Sequence, residues 1–334
     1  MSNPQIKIGV DISRANSIQE AIDIAGLNWQ VEKNETYASR SSEEGAMSLW
    51  KSPRFVSIMR SDTGEEFAHP TQRYEIVQNL DSFRWVEDIV GGGEAEYWRA
   101  GSFRGGRKVF MIVKLPIPLT MGNGETIARA MIISTSHDAT SGLKASWLPF
   151  RFACANVISA SLASAPMVLR HTASAGSGIT PEAAREVFYN AELFYDSFYK
   201  KANALVSAPY SDADIEKLIG TVFNSPRIEG NRVRKSNDYI YERIIQNFRN
   251  GRGTYGSNRW DAYNAICEYL DYQRPVGNTL STAENEDPEI MNERQFNSIL
   301  STNRYGGNKI RTNTLQILQD TAEYGYLPVG SGVE

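Results

Sequence analysis

The sequence STSHDATSGLKASWLPFRFACANVISA, residues 134–160, decides the fold of this chain. A strand-like run ends in a polar turn, a second strand-like run follows, and a helix-like run begins just beyond Arg151. Arg151, Cys154 and Asn156 therefore meet at one sheet-to-helix corner, where each buried polar group needs a hydrogen-bond partner. We interpret these three residues as structural residues that hold the corner together.

Pairs of strand-like segments surround this stretch. Segments 97–103 and 109–115 flank the turn Arg-Gly-Gly-Arg-Lys, and segments 126–135 and 143–151 flank the turn around His137. Strands joined by short turns form antiparallel pairs, whereas parallel strands need crossover helices between them. Segment 109–115 is apolar along most of its length, so we expect both of its faces to be covered. The predicted fold class is α+β: a curved antiparallel sheet with packed helices, followed by a mainly helical C-terminal region.

The remaining sequence suggests three regions: an N-terminal arm at 1–52, an α+β core domain at 53–170 and a helical domain at 180–330. The Ser- and Glu-rich run 39–53 is typical of a mobile link. In the core domain the pattern predicts a hairpin at 55–69, a strand at 74–78 and a helix that Asn79 caps and that residues 91–93 end. Further helices are predicted to begin near residues 181, 211, 238, 258 and 312.

Composition excludes several classes of protein. Among the 334 residues no run approaches the ~20 apolar residues of a membrane span, and the N-terminus lacks the pattern of a secretion signal. Two cysteines and three histidines, all far apart, offer no zinc-ligand spacing. We therefore expect a cytoplasmic protein with free thiols, no metal, no cofactor and no membrane partner.

Charge is segregated along the chain, whose formal net charge is −4. The first basic island, residues 97–151, has eight Lys and Arg against two acidic residues, and the second, residues 227–260, has eight against three. Two such islands in an acidic chain are typical of a single anionic contact surface. Cations predicted to neutralise phosphates are Arg99, Arg104, Arg107, Lys108, Lys114, Arg232, Arg234, Lys235, Arg243, Arg249 and Arg252, and aromatics predicted to stack on bases are Tyr239 and Tyr255.

Two simpler interpretations of the islands stay open. The cations can be chance clusters on a solvated face, and Tyr and Phe at helical spacing can be core residues with Arg on the wet side. The prediction of a nucleic-acid surface therefore depends on both islands sharing one electropositive groove.

Residues 136–138, Ser-His-Asp, superficially suggest nucleophilic catalysis. Adjacent residues in a turn point in different directions, whereas a catalytic triad needs side chains that converge. His and Asp in a tight turn commonly satisfy local backbone groups, so we assign His137 and Asp138 structural roles. The glycine-rich runs 91–94 and 104–108 match neither a Walker A nor a dinucleotide loop. The sequence therefore offers no catalytic residue.

Several motifs resemble a phage- and plasmid-borne family, domain of unknown function 932. The runs AGLNW at 25–29, SPRF at 52–55, RSDTG at 60–64 and YEIVQN at 74–79 resemble its N-terminal motifs. The runs SHDAT at 136–140, RFACAN at 151–156 and WDAYNAICEY at 260–269 resemble its later ones. The chain departs from the family at Ala139, where Gly is usual, and at residues 155–157, where the family tends to have Asn-Thr-Leu.

The resemblance implies a phage or plasmid origin and a product inside the bacterial host cell, but no established activity. The order of elements also looks like that of the Erf and Red-beta class of single-strand annealing proteins, which form rings or helices on DNA. Our leading hypothesis is a non-catalytic protein that binds single-stranded DNA or other nucleic acid, as a homo-oligomer, in replication or recombination. The alternatives are an assembly or interaction protein that modulates phage or host machinery and, third, an enzyme acting on nucleic acid that would be built around His137 and Asp138.

Overall fold

A computed structural model of the protein describes residues 8–41, 47–151, 167–169, 181–223, 233–251, 254, 257–274 and 307–324. Two antiparallel sheets occupy the N-terminal half, and the long helices follow in the C-terminal half. This arrangement confirms the predicted α+β class.

The larger sheet has seven strands. They are β1 (Val10–Asp11), β5 (Glu96–Phe103), β6 (Lys108–Lys114), β7 (Leu119–Thr120), β8 (Thr126–Ser136), β9 (Leu143–Arg151) and β10 (Met167–Leu169). Their order is β1-β5-β6-β8-β9-β10, and β7 pairs with β8 beyond the end of β6. All of these pairs are antiparallel, and the pairs β5–β6 and β8–β9 are the two hairpins that the short turns predict.

Strand β6 has both faces covered, as its apolar sequence predicts. Val109, Met111 and Val113 enter the hydrophobic cluster that also contains residues of the short N-terminal helices. Phe110 and Ile112 alternate with them and enter a second cluster on the opposite face. Because successive strand residues point to opposite faces, an unbroken apolar run places β6 between two buried layers.

The smaller sheet has the order β2-β3-β4 and corrects one prediction. Its strands are β2 (Val31–Ser41), β3 (Met47–Arg60) and β4 (Glu66–Ala68). Residues 39–41 and 47–51, predicted as part of a mobile link, instead pair across β2 and β3. Cross-strand hydrogen bonds form here without a buried face, so the Ser- and Glu-rich composition concealed a ribbon. The hairpin of β3 and β4 is confirmed.

Three short helices lie in the N-terminal half. They are α1 (Ile18–Ile24), α2 (Asn79–Phe83) and α3 (Val86–Gly91). The predicted strand at 74–78 is wrong: Tyr74 and Val77 are buried, but the segment pairs with no strand. The side-chain amide of Gln78 instead bonds the backbone N–H and carbonyl of Val31, each at 2.9 Å.

Asn79 is the first residue of α2 and not its cap, which corrects another prediction. Its buried side chain donates to the Leu27 carbonyl at 2.9 Å instead of satisfying a backbone group of its own helix. The single helix predicted from Asn79 to residues 91–93 is divided into α2 and α3, and its predicted end is confirmed, since α3 stops at Gly91 and Gly93 has a φ of +75°.

Five long helices make up most of the described C-terminal half. They are α4 (Pro181–Val206), α5 (Asp212–Val222), α6 (Val233–Asn250), α7 (Arg259–Glu268) and α8 (Gly307–Tyr324), and a π-helical turn (Tyr269–Gln273) extends α7. Ser211 caps α5 through a capping box with Asp214, and Asn258 caps α7. The predicted starts at 181, 211 and 258 are therefore confirmed within a residue, whereas α6 and α8 begin about one turn earlier than predicted.

The helices share a hydrophobic core with the edge of the larger sheet. Leu115, Met121 and Ile127 belong to the same buried cluster as residues of α4 to α8. The indole Nε1 of Trp260 donates to the buried carboxylate of Glu125 at 2.8 Å, which links α7 to the turn between β7 and β8. Since apolar and polar contacts both cross this boundary, the helical half is attached to the sheet along a packed surface.

Candidate nucleic-acid interface

The tip turn, residues 104–108 between β5 and β6, is docked against the smaller sheet. Gly106 has a φ of +111°, and a Cβ at this position would lie 2.8 Å from the Trp29 ring. Arg60 donates from Nη1 to the Gly105 carbonyl at 2.8 Å and places its guanidinium 4.5 Å from the centre of the Trp29 ring. The turn therefore packs too closely against Trp29 for a side chain at position 106.

Acidic residues and carbonyl groups take up much of the positive charge at the tip turn. Arg107 donates to the Phe67 and Glu66 carbonyls at 2.9 and 2.8 Å and lies 3.3 Å from a Glu65 carboxylate oxygen. Arg60 forms an ion pair with Asp62 at 2.6 Å. Arg104 and Lys108 are partly exposed. Of the three cations in the tip turn, Arg107 therefore has its charge taken up by carbonyl groups and a carboxylate.

Two other predicted cations of the first basic island have internal partners. Arg99 donates to the Ile8 carbonyl at 2.6 Å and to the Gly9 carbonyl at 2.5 Å. Burial lowers the pKa of its guanidinium, although Asp11 opposes this effect. Lys114 forms an ion pair with Glu96 at 2.8 Å. Arg99 thus holds the N-terminal segment to β5, and the charge of Lys114 is neutralised by a neighbouring strand.

The second basic island centres on α6. Arg234 and Lys235 lie in the first turn of this helix, which contains no acidic residue. Further along, the guanidinium carbon of Arg243 lies 5.3 Å from the centre of the Tyr239 ring, and both residues are partly exposed. Arg232, Arg252 and Tyr255 lie outside the described residues.

Arg249, near the end of α6, has an acidic partner. Its Nη2 and Nε atoms lie 2.6 and 3.1 Å from one carboxylate oxygen of Asp212, at the start of α5. These hydrogen bonds raise the pKa of Arg249, so the guanidinium stays charged but paired. Because the pair is exposed and water screens its charges, its contribution to stability is small.

Most aromatic residues of the second island that the structure describes are core residues. Tyr241, Phe248 and Trp260 are buried in the helical cluster, as the simpler interpretation predicts. Tyr239 differs, because its ring is partly exposed and its hydroxyl donates to the Gln273 carbonyl at 3.3 Å. One predicted stacking residue is therefore accessible on α6.

The tip turn of the first island and helix α6 of the second island pack against different hydrophobic clusters. The tip turn packs on Trp29 and Phe67 of the first hydrophobic cluster. Helix α6 packs on α5, α7 and the π-helical turn within the helical cluster. Each island therefore has its own structural surroundings, and the groove shared by both stays a prediction.

The geometry around His137 favours the structural interpretation. His137 is fully buried, its Nε2 lies 2.8 Å from Asn79 Oδ1, and its ring contacts those of Trp29 and Phe67. Asp138 instead accepts from the Thr140 backbone N–H at 3.0 Å. The two side chains make separate local contacts and do not converge as catalysis requires.

The remaining predicted structural residues are described only in part. The backbone of Arg151 pairs with Ile127 at the end of β9. Cys154 and Asn156 lie outside the described residues. Cys267 is a free, buried thiol, and burial raises its pKa, which disfavours the reactive thiolate.

Sequence reasoning missed an exposed apolar surface on the smaller sheet. Tyr37, Met47, Leu49 and Trp50 are all exposed on the ribbon formed by β2 and β3. Alternation in the run Met47 to Trp50 was the available signal, but no buried face accompanied it. Within the described ranges, no group of three His, Cys, Asp or Glu residues could hold a metal ion, and no helix is long and apolar enough to cross a membrane.

Comparison with known families confirms the resemblance seen in the motifs. The family described as Domain of unknown function (DUF932) matches residues 66–299, so the chain belongs to this family. No curated protein and no solved structure matches the chain. The matched range includes the tip turn, His137 and α6, whereas the ribbon of β2 and β3 precedes it.

Proposed function

We propose that the protein binds single-stranded nucleic acid without catalysis, through the solvent-facing side of α6. The observation that carries this proposal is the partly exposed Arg243 guanidinium placed over the Tyr239 ring. Aromatic faces on which bases stack, next to Arg that pairs with phosphates, are typical of single-strand binding.

Two further cations lie at the start of the same helix, α6. Arg234 and Lys235 lie in its first turn, where the helix dipole is already positive. Cations at this position destabilise a helix slightly, whereas an anion there is attracted by both the dipole and the side-chain charges. A phosphate backbone supplies such an anion.

The proposal leaves out cations that have internal partners. Arg99, Arg107, Lys114 and Arg249 are bonded to carbonyls or carboxylates, and a phosphate would have to displace those groups. The proposed surface therefore contains fewer cations than the eleven that the sequence predicts.

Two arginines on α6 provide a matched test. We expect Arg243→Gln to weaken binding of a single-stranded oligonucleotide about fivefold, which corresponds to about 1 kcal/mol for one charge-assisted contact. Arg249→Gln should change affinity less than twofold, because Asp212 already neutralises Arg249. Fluorescence anisotropy at low salt measures both. Equal losses in the two variants, or no binding by the unaltered protein, would contradict the proposal.

A second candidate is the assembly or interaction protein among our alternatives. The exposed apolar residues of the β2 and β3 ribbon favour it, since large exposed apolar patches commonly mark interaction sites. A partner retained after nuclease treatment would support this candidate. The third alternative, an enzyme built around His137, gains no support from a fully buried imidazole.

A further inference from the structure

The distal ribbon, residues 37–41 of β2 and 47–51 of β3, extends beyond a break in pairing. The register runs from Val31 opposite Arg60 to Glu35 opposite Val56, and resumes with Tyr37 opposite Lys51. Four residues of β3, 52–55, stand against the single residue Thr36 of β2 at this break, and they include Pro53. Residues 47–51 are exposed, and so are those of 37–41 whose side chains are described.

Three of the four exposed apolar side chains described on this ribbon share one face, whereas Trp50, opposite Ala38, lies on the other face. Residues directly opposite in an antiparallel pair lie on the same face, and so do residues two apart. The pairs Tyr37–Lys51, Ser39–Leu49 and Ser41–Met47 therefore form one face. Tyr37, Met47 and Leu49 are 52%, 71% and 64% exposed, so the ribbon carries an apolar face with nothing described against it.

The charges beside this face neutralise one another. Lys51 forms an ion pair and hydrogen bond with Glu35, and the Tyr37 hydroxyl donates to the same carboxylate at 2.6 Å. A nucleic acid or an anionic lipid surface requires unpaired cations, which this pair does not supply. A surface that is apolar and internally neutral can instead meet a copy of itself without bringing like charges together.

We propose that the distal ribbon is the self-association surface of this protein, where the face of Tyr37, Met47 and Leu49 packs against the same face of a second copy. The contact is isologous, so each of the three apolar positions is buried once in each copy.

The available area fits a specific though modest dimer. Each of the three side chains exposes about 100 Å² or more, which amounts to roughly 700 Å² over two copies. Ser39, Ser41 and the backbone between them bring the total towards the ~1,000 Å² expected of a specific interface. This inference does not depend on the proposed nucleic-acid binding.

Two leucines of nearly equal exposure give a matched test. Leu49 on the ribbon is 64% exposed and Leu193 on α4 is 67% exposed. Analytical ultracentrifugation of nuclease-treated protein across roughly 1–200 µM should show a monomer–dimer equilibrium. We expect Leu49→Lys to weaken the dimer about a hundredfold, because an unpaired charge would be buried, and Leu193→Lys to leave it unchanged.

A second ribbon variant guards against a folding defect. Met47→Lys should weaken the dimer as Leu49→Lys does, while circular dichroism and the melting temperature of the monomer stay unchanged. A monomer at every concentration would overturn the proposal, as would equal behaviour of the Leu49 and Leu193 variants. Binding of monomers to phosphatidylcholine vesicles that is lost in Leu49→Lys would overturn it in favour of a lipid surface.

Discussion

At the scale of single residues, Ala139 has a backbone conformation that a residue with a side chain adopts only with strain. Its φ of +58° lies in the left-handed region, which a residue with a Cβ enters at a cost of about 1–2 kcal/mol. The resemblance noted Gly as usual here, and this conformation is a physical reason for that preference. The Ser-His-Asp-Ala-Thr turn therefore contains a strained residue, Ala139, at a position whose backbone conformation favours Gly.

Replacing Ala139 with Gly should relieve this strain. We expect Ala139→Gly to raise the free energy of unfolding by about 0.5–1 kcal/mol, since the lost left-handed penalty exceeds the entropy that Gly adds to the unfolded chain. Urea denaturation measures the change. Ala38→Gly, an exposed strand residue, is the control and should be destabilising by a similar amount. Destabilisation by Ala139→Gly would contradict this explanation.

His137 shows what residue-level reasoning could and could not predict. Its structural role was predicted because His in a tight turn commonly satisfies local backbone groups, but the contacts described for its ring are with distant side chains. Its partner, Asn79, lies 58 residues earlier, and no local pattern reveals a contact between two distant segments. The same limit explains why Asn79 was interpreted as a helix cap, since its type suits both positions.

At the scale of elements, the tip turn depends on a glycine. Gly106→Ala should lower the free energy of unfolding by about 1–3 kcal/mol, because the methyl group would enter the Trp29 ring at an unfavourable φ. Thermal or urea denaturation measures the change. Gly64→Ala is a useful comparison: its φ is +69°, but no atom lies within 4 Å of the added Cβ. If both variants lost equal stability, packing on Trp29 would not be the cause.

Strands with a buried face were predictable, whereas those without one were not. Strands β5, β6, β8 and β9 could be predicted because their sequences are either continuously apolar or alternate between apolar and polar residues, and their apolar residues are buried. The distal ribbon has no buried face, and the segment 74–78 has buried residues but no neighbouring strand. A hydrophobic pattern indicates which residues are buried and not whether they pair with a strand. It therefore fails to predict an exposed ribbon, and it predicts a strand where a buried segment has no strand partner.

At the scale of the whole molecule, charge counted along the sequence differs from charge in space. The first basic island is +6 by sequence, but Glu65, Glu96 and Glu192, from outside it, pair with Arg107, Lys114 and Arg129. Arg249 meets Asp212 in the same way. Acidic residues that are distant in the chain become neighbours in the fold, and a local count cannot include them.

The salt dependence of binding tests the central claim, that a small group of cations on and beside α6 binds single-stranded nucleic acid. If Arg234, Lys235 and Arg243 each contact one phosphate, the logarithm of the binding constant should fall against the logarithm of salt concentration with a slope of about −2. If Arg232 and Arg252 also take part, the five contacts give a slope of about −3.5. If all eleven cations predicted from sequence contacted phosphates, the slope would instead be about −8. We predict a slope between the first two values in an oligonucleotide titration across salt concentrations. A flat response, or a slope near the steepest value, would contradict the account.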